Sequence, residues 1–249
     1  MRRYMSSVIN AVSKGCQTAL LSLLTAITAQ SALANEDYDE YWSSGVENTD
    51  PWEKINRPIF QFNDTLDTWV LKPVAKGYQY VTPKSVRTGV RNLFQNVGEF
   101  RNVSNSLLQG RFHQAGIGTA RFMFNTTFGV LGIFDVATPM GLEHTREDFG
   151  LTLGRWGVPS GPYVVLPFLG SNSVRDASAL FVDFYTSPYP YISNKDHGWI
   201  VAGIQTVSIR TDLLPAENLI VGDRYIFIRN AYLQNREYLV KDGEVEDDF

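Results

Sequence analysis

The sequence predicts a mainly α-helical single domain with a segment rich in glycine and proline in its middle. Apolar residues recur at spacings of three and four over two long stretches, which is the period of one helix face. The chain has 249 residues, 44% of them hydrophobic, enough for one large domain with a sizeable core or for two small ones. No short-period repeat is present, so we expect one folded unit and not a repeat array.

The composition argues against nucleic acid as a partner. The formal net charge is −4 and no basic stripe is visible, whereas nucleic-acid binding relies on clustered Lys and Arg. Aromatic residues make up 13% of the chain. That content suits a protein with much interfacial surface, although a large core would also explain it.

The N-terminus has the pattern of a cleaved secretory signal peptide over residues 1–34. Arg2 and Arg3 precede a short apolar segment, and the small residues Ala32 and Ala34 mark a cleavage site. Cys16 lies before the apolar segment, so it cannot be the acylated cysteine that follows a lipoprotein leader. We therefore expect a mature chain without a thiol. Residues 35–49 are acidic and polar and predict a flexible arm.

The first predicted helix begins at Asp50 and Pro51, which have the residue types of a helix cap and a first helical position. Its apolar face is formed by Ile59, Phe62, Leu66 and Trp69. Pro73 is expected to end or kink it, because proline lacks a backbone N–H.

A long amphipathic helix is predicted to start after the cap Thr82-Pro83 and to stop near Gly110. One side is apolar and is formed by Val86, Val90, Leu93, Val97, Phe100 and Leu107. Another helix is expected over residues 112–128.

Residues 121–137 form the most apolar stretch of the mature chain. The uninterrupted apolar run is shorter than the roughly 20 residues that cross a bilayer. We expect a helix that ends near Phe128 and a glycine-bent apolar hairpin that ends at Asp135. A buried core hairpin of a soluble domain fits the pattern equally well.

Residues 139–173 are interrupted by many glycines and prolines, which predicts an ordered loop with short strands around Tyr163–Leu166 and no helix. Ser173 and Asp176 have the spacing of a capping box and predict a short helix, closed by prolines near residue 188. Further helices are expected from Asp196 to Pro215 and over residues 223–240. Residues 241–249 predict a disordered acidic tail.

Several segments, in unbroken order, resemble the MlaA/VacJ family of Gram-negative outer-membrane phospholipid-transport proteins. The matching segments are DPWEKINR at 50–57, FND at 62–64, RF at 121–122, NT at 125–126, GVLGIFDVA at 129–137, DFG at 148–150, TLG at 152–154, GPYVVLPF at 161–168 and RD at 175–176. The family-motif residues singled out are Asn56, Arg57, Asn63, Asp64, Arg121, Gly161, Pro162, Tyr163 and Pro167. The resemblance covers residues 50–240, the predicted helical domain.

The resemblance implies a ring of amphipathic helices around a polar channel, lying in the inner leaflet of the outer membrane. It implies a trimeric porin as a partner, and passive transfer of misplaced phospholipids from the outer leaflet to a periplasmic lipid carrier. No bond is made and no cofactor or metal is needed. The absence of an acylated cysteine departs from many family members, so attachment would depend on helix faces and the porin.

The polar and glycine residues of the central stretch are the candidates for channel lining and gate: Asn125, Thr126, Thr127, Gly129, Gly132 and Asp135. The three polar residues from 125 to 127 would equally satisfy backbone groups at a helix end. The two glycines would serve as a hinge or allow close backbone packing.

Two other functions remain open at this point. One is a structural porin-binding surface protein without lipid transfer, and the other is a lipid hydrolase. The best catalytic cluster joins His144, Glu147 and Asp148, but H-E-x-x-H, G-x-S-x-G and G-x-x-x-x-G-K-[ST] are absent from the sequence. The acidic tail would meet a basic carrier or simply aid solubility.

Overall fold

The computed structural model describes residues 50–187, 189–191 and 195–243. The predicted signal peptide, the acidic arm and residues 244–249 of the tail lie outside the described residues. The α-helices are α1 (Glu53–Leu66), α2 (Lys72–Val81), α3 (Lys84–Leu108), α4 (Phe112–Thr127), α5 (Phe149–Arg155), α6 (Val174–Thr186), α7 (Lys195–Leu213) and α8 (Arg224–Val240). Strands β1 (Tyr163–Leu166) and β2 (Gly170–Ser173) form an antiparallel pair, with Tyr163 opposite Ser173. The prediction of a mainly α-helical single domain is confirmed.

The first two helices are joined by a π-helical turn, Asp67–Leu71. The N–H of Lys72 donates to the carbonyl of Asp67, which widens the helix just before Pro73 and accommodates a residue that has no N–H to donate. Pro73 therefore does not end the helix, which continues to Val81.

The start of α1 differs from the prediction. Trp52 occupies the N-cap position without a side-chain cap bond, and the helix begins at Glu53. Asp50 is buried two residues earlier, where its Oδ1 accepts the Trp52 N–H at 3.0 Å. Its carboxylate is used for tertiary contacts and not for capping the helix.

The predicted limits of α3 and α4 are confirmed, and Gly110 ends α3 with a left-handed φ of +73°. The two helices pack along each other. Ser173 caps α6 by accepting the Asp176 N–H at 3.1 Å, as its spacing predicts. Asp223 caps α8 through the N–H groups of Tyr225 and Ile226.

Helix α5 was not predicted, because its segment contains several glycines. Asp148 caps it by accepting the Leu151 N–H at 2.8 Å. Gly150 and Gly154 lie inside this helix because a side chain there would collide with neighbours. A Cβ at Gly150 would lie 2.5 Å from an Asp176 oxygen, and one at Gly154 would lie 2.7 Å from Arg175. Here glycine marks close packing and not a loop.

Residues 241–243, which were predicted as part of a disordered tail, are structured. Residues 241–243 form a turn, and the Asp242 carboxylate pairs with Arg155 at 2.5 Å and with Arg111 at 3.1 Å. These ion pairs fasten the end of α8 to the segments around α4 and α5.

The interior of the described part is mostly polar. Twenty polar or charged residues are buried there against eight apolar ones, so hydrogen bonds and ion pairs make up a large share of the contacts between helices. A small hydrophobic cluster of Tyr163, Val165 and Tyr225 lies where α1, β1 and α8 meet. None of the described helices combines the length and hydropathy needed to cross a membrane.

Helix α3 shows this inverted distribution most clearly. Its predicted apolar stripe faces outward, and Val86, Phe100 and Leu107 are each about half exposed. The opposite face is buried and consists of Gly89, Asn96, Glu99, Asn102, Asn105 and Ser106. The two-sided helix expected from the sequence is confirmed, with the polar side inward.

Two asparagines of α1 hold strand β1. The Asn56 amide donates to the Tyr163 carbonyl at 3.0 Å and accepts the Val165 N–H at 2.9 Å. Asn56 also donates to both oxygens of Asp50. Asn63, two helical turns further along α1, donates to the Leu166 carbonyl at the end of the strand and accepts the Phe168 N–H just beyond it.

Asn56→Ala is expected to lower the free energy of unfolding by about 2–4 kcal/mol, because it leaves the Tyr163 carbonyl and the Val165 N–H without their partner and removes one donor from the buried Asp50 carboxylate. Asn63→Ala is the matched control and should cost about half as much, because water reaches its partners. Urea unfolding of the two variants measures the difference. Equal losses would contradict this account of burial.

Candidate functional site

A buried ion pair joins the middle of α3 to the middle of α4. The Arg121 Nε lies 3.0 Å from Glu99 Oε1, and both side chains are at most 2% exposed. Asn102 donates to the other Glu99 oxygen at 3.0 Å, and the His144 Nδ1 lies 2.9 Å from Oε1. Both oxygens of the buried carboxylate are therefore satisfied, as burial requires.

The rest of the Arg121 guanidinium organises the loop after α4. It donates to Thr138 Oγ1 at 3.0 Å, contacts the Leu142 carbonyl, and lies 3.4 Å from both oxygens of Asp135. Burial alone would raise the pKa of Asp135, but hydrogen bonds from Thr138 and Asn125 and the charge of Arg121 outweigh it and lower that pKa. Asp135 is therefore held ionised beside the arginine.

Residues 128–134 form a tight turn instead of the two arms of a hairpin. Gly132 and Leu131 donate their N–H groups back to the carbonyls of Asn125 and Thr126. Three successive residues have left-handed φ angles: Val130 at 52°, Leu131 at 59° and Gly132 at 93°. The apolar side chains of this turn are exposed, including Phe128, Leu131 and Phe134. We call residues 128–134 the apolar turn.

The apolar turn is held against α3 by asparagines. Asn96 donates to Thr126 Oγ1 at 2.9 Å and to the Leu131 carbonyl at 3.4 Å, and Asn92 donates to the Ile133 carbonyl at 3.1 Å. A Cβ on Gly132 would lie only 2.5 Å from the Asn96 Cβ. The glycine is therefore needed both for its φ angle and for the close approach to α3.

The six channel and gate candidates all lie within the apolar turn or within three residues of it. Asn125 is buried, and its Oδ1 accepts the N–H groups of residues 136 and 137 at 2.8 and 3.0 Å, while its amide donates to Asp135. A Cβ on Gly129 would overlap the Phe134 carbonyl, so this glycine also allows close packing. Thr127 differs because its side chain is exposed.

Apart from Arg121, which is described above, the family-motif residues lie around β1 and the start of α8. Arg57 pairs with Glu53 at 2.6 Å and Asp223 at 2.7 Å, and its guanidinium lies over the Tyr225 ring. Asp64 lies 3.0 Å from Arg224. Gly161, Pro162, Tyr163 and Pro167 form and flank β1, where the Pro162 carbonyl accepts the Val174 N–H. These contacts support the fold of that region.

His144, Glu147 and Asp148 do not act as one cluster, because each contacts different partners. His144 contacts Glu99, Glu147 pairs with Arg111 and Arg155 at 2.7 and 2.6 Å, and Asp148 pairs with Arg236 at 2.6 Å. Over the described ranges, no group of three or more His, Cys, Asp or Glu side chains is arranged to hold a metal ion.

Sequence analysis missed Glu99 and its polar neighbours. Asn96, Glu99, Asn102 and Ser106 recur at spacings of three and four on the side of α3 opposite its apolar stripe. That polar stripe is a helical period in its own right. In a protein whose apolar helix faces point outward, such a polar stripe predicts which side of the helix is buried.

Three aspartates near α5 and α6 have shifted pKa values, of which two are lowered and one is raised. Burial alone would raise the pKa of Asp148 and Asp176, but the Arg236 guanidinium lowers that of Asp148. The Tyr232 hydroxyl, followed by Arg236 and Arg175, lowers that of Asp176. Burial and the negative charge of Asp148 raise the pKa of Asp183, although the Phe149 N–H donates to it. The surroundings therefore stabilise the ionised form of Asp148 and Asp176 and destabilise the ionised form of Asp183.

A helical domain with a charged, hydrogen-bonded interior and an apolar exterior defines a class of proteins that place their outer surface against a membrane or another protein. More specifically, the chain belongs to the MlaA lipoprotein family, whose model matches residues 48–239.

Known relatives resemble the chain over most of its length. The intermembrane phospholipid transport system lipoprotein MlaA of Escherichia coli K12 is 34% identical over 82% of this chain and 84% of its own. An uncharacterized protein of Rickettsia prowazekii is 32% identical over 88% and 92% of the two chains. A solved structure described as the structural basis for maintenance of bacterial outer membrane lipid asymmetry matches with a TM-score of 0.66 and 34% identity, over 77% of this chain and 98% of its own.

Arg121→Leu is expected to lower the free energy of unfolding by about 3–5 kcal/mol, because it leaves the Glu99 carboxylate buried without a cation. The double variant Arg121→Leu/Glu99→Leu should recover much of that loss, since no uncompensated charge remains. Chemical denaturation of both variants tests this. A double variant less stable than the single one would show that the pair is not coupled as described.

Asp183→Asn and Asp176→Asn should shift stability in opposite directions at pH 7. The first should stabilise, because it removes a carboxylate whose folded-state pKa is raised. Its advantage should disappear as the pH falls through that pKa toward the unfolded value of about 3.9.

Asp176→Asn should destabilise at pH 7, because the folded-state pKa of Asp176 is lowered. Its deficit should shrink only as the pH falls below about 3.9. Urea unfolding from pH 7 to pH 3 measures both variants. Shifts of the same sign at pH 7 would contradict the assignment.

Proposed function

We propose that this protein removes mislocalised phospholipids from the outer leaflet of the outer membrane and passes them to a periplasmic carrier, which maintains lipid asymmetry. Relatives named as components of an intermembrane phospholipid transport system support the proposal. So does the described subject of the similar solved structure, outer-membrane lipid asymmetry. Transfer is passive and makes or breaks no covalent bond.

The observation that carries the proposal is the inverted placement of polar and apolar residues. A phospholipid has acyl chains that stay in an apolar environment and a charged headgroup that is costly to bury without partners. A domain with apolar side chains outside and satisfied charges inside offers both environments. The exposed apolar surface serves as the contact with the inner leaflet and with a porin trimer, without requiring a spanning helix.

The candidate path for the headgroup runs beside the apolar turn. Thr126, Thr127 and Asp135 supply hydroxyl and carboxylate groups there, and Asn125 fixes the positions of the backbone that follows. The apolar turn acts as the gate, because its side chains are exposed while its backbone is joined to α3 by only two asparagines.

Gly132→Ala is expected to raise outer-leaflet phospholipid toward the level of cells that lack the gene. The added Cβ would meet Asn96 at 2.5 Å and displace the apolar turn from α3. A membrane-impermeant probe of phospholipids in intact cells measures the effect. Cells without the gene and cells with the intact gene set the two limits.

Gly141→Ala is the matched control. Gly141 has a similar φ of +81°, so alanine there carries a similar backbone strain of about 1–2 kcal/mol, but its Cβ would meet no atom within 4 Å. Asymmetry should be retained in this variant. Porin binding that persists in Gly132→Ala cells while asymmetry fails would separate lipid transfer from a purely structural role. Unchanged phospholipid exposure in cells lacking the gene would refute the proposed function.

A further inference from the structure

An apolar groove lies between α2 and α7. It has a volume of about 530 Å³. Its lining is formed by Val74, Gly77, Tyr78, Val81, Ile200, Gly203, Ile204 and Val207. We call this feature the α2–α7 groove.

Two glycines leave the groove open. A Cβ at Gly77 or at Gly203 would meet no atom within 4 Å, so each helix presents bare backbone there. Val74 and Ile204 are about half exposed on the walls. Such a lining favours a hydrocarbon and disfavours a polar ligand, because no wall residue other than Tyr78 carries a polar side-chain group.

Unused polar groups lie at the Tyr78 side of the groove. The Tyr78 hydroxyl and the Arg87 Nε are both buried, and neither has a hydrogen-bond partner among the residues that the structure describes. Burial raises the pKa of Tyr78, while the charge of Arg87 lowers it and that of Asp212 raises it, which places both charges near the hydroxyl. Asp212 lies 3.5 Å from Arg91, whereas Arg87 forms no ion pair within the described part of the chain.

Buried donors without partners favour a ligand with strong acceptor oxygens. A phosphate group matches the net positive charge of Arg87, Arg91 and Asp212, and it accepts from both a guanidinium and a phenol. A phospholipid carries that phosphate and an unbranched apolar chain in one molecule. A protein segment in the groove would leave both donors unpaired unless it also carried an anion at this end.

We propose that the α2–α7 groove holds one acyl chain of a phospholipid whose phosphate is bound by Arg87 and the Tyr78 hydroxyl. The site deepens the proposed function, on which it rests, by giving the transported lipid a defined resting place on the outside of the domain. Lipid at this site is held by a charge and a single chain, so it exchanges with the surrounding leaflet.

Photolabelling tests the site. The full-length exported protein is placed in vesicles of phosphatidylethanolamine and phosphatidylglycerol that contain a trace of phosphatidylglycerol with a diazirine in one acyl chain. Labelled peptides are identified by mass spectrometry. We expect label on α2 and α7 within residues 74–81 and 200–207.

Gly203→Leu should lower this label about tenfold, because leucine fills the groove while it also favours the helix. Gly116→Leu, at an open position of α4 outside the groove, is the matched control and should leave the label unchanged. Label that persists in Gly203→Leu, or falls equally in Gly116→Leu, would overturn the proposal.

A second lipid probe, which lacks the phosphate, tests how much the phosphate contributes to binding. Arg87→Gln should lower labelling by phosphatidylglycerol about tenfold, the loss of one hydrogen bond to a charged group, and leave labelling by a diazirine diacylglycerol unchanged. Arg146→Gln removes an exposed basic residue elsewhere and should change neither. Equal effects of Arg87→Gln on the two probes would remove the phosphate from the proposal. If the groove proposal is wrong, Gly203→Leu leaves phospholipid exposure in cells unchanged. If the proposed function is wrong, phospholipid exposure is already unchanged in cells that lack the gene.

Discussion

Two opposite charges, the Glu99 carboxylate and the Arg121 guanidinium, are closed off from water between α3 and α4, and much of the chain is arranged to satisfy them. Removing such groups from water is costly unless each remaining lone pair and N–H finds a partner. Asn102 supplies one partner from within α3. His144 and Thr138 come from the loop that follows the apolar turn, so the course of that loop is set by the ion pair.

The same requirement recurs throughout the interior. Glu147 is enclosed by two arginines, Asp148 and Asp176 share Arg236, and Arg210 lies between Asp67 and Glu217. In a protein with an aqueous exterior, apolar burial would hold these helices together. Where the exterior is itself apolar, association gains little from burial, and hydrogen bonds with close backbone packing carry more of it, as in membrane helix bundles. Glycines inside α5 and at the apolar turn fit that rule.

Local signals in the sequence predicted much of the fold. Ser173 and Asp223 cap the helices they precede, and Gly110 ends α3, because capping and left-handed turns depend on neighbouring residues alone. Helix α5 was missed because Gly150 and Gly154 are explained by side chains of α6 and α8 that are distant in sequence. The same applies to the site: the apolar turn was located by its composition. The partner of Arg121, twenty-two positions earlier along the chain, depends on how two helices are rotated against each other.

The exposed apolar side chains also affect how the domain behaves before lipid or a partner covers them. Trp69, Tyr80 and Trp199 are each more than three-quarters exposed in the folded chain. Surfaces of this kind adhere to one another in water. In water the folded molecule therefore still presents exposed hydrophobic patches, as an unfolded chain does. Correct folding alone does not protect it from aggregation. Keeping such a molecule from aggregating would require lipid, a partner or an escort protein that covers these patches.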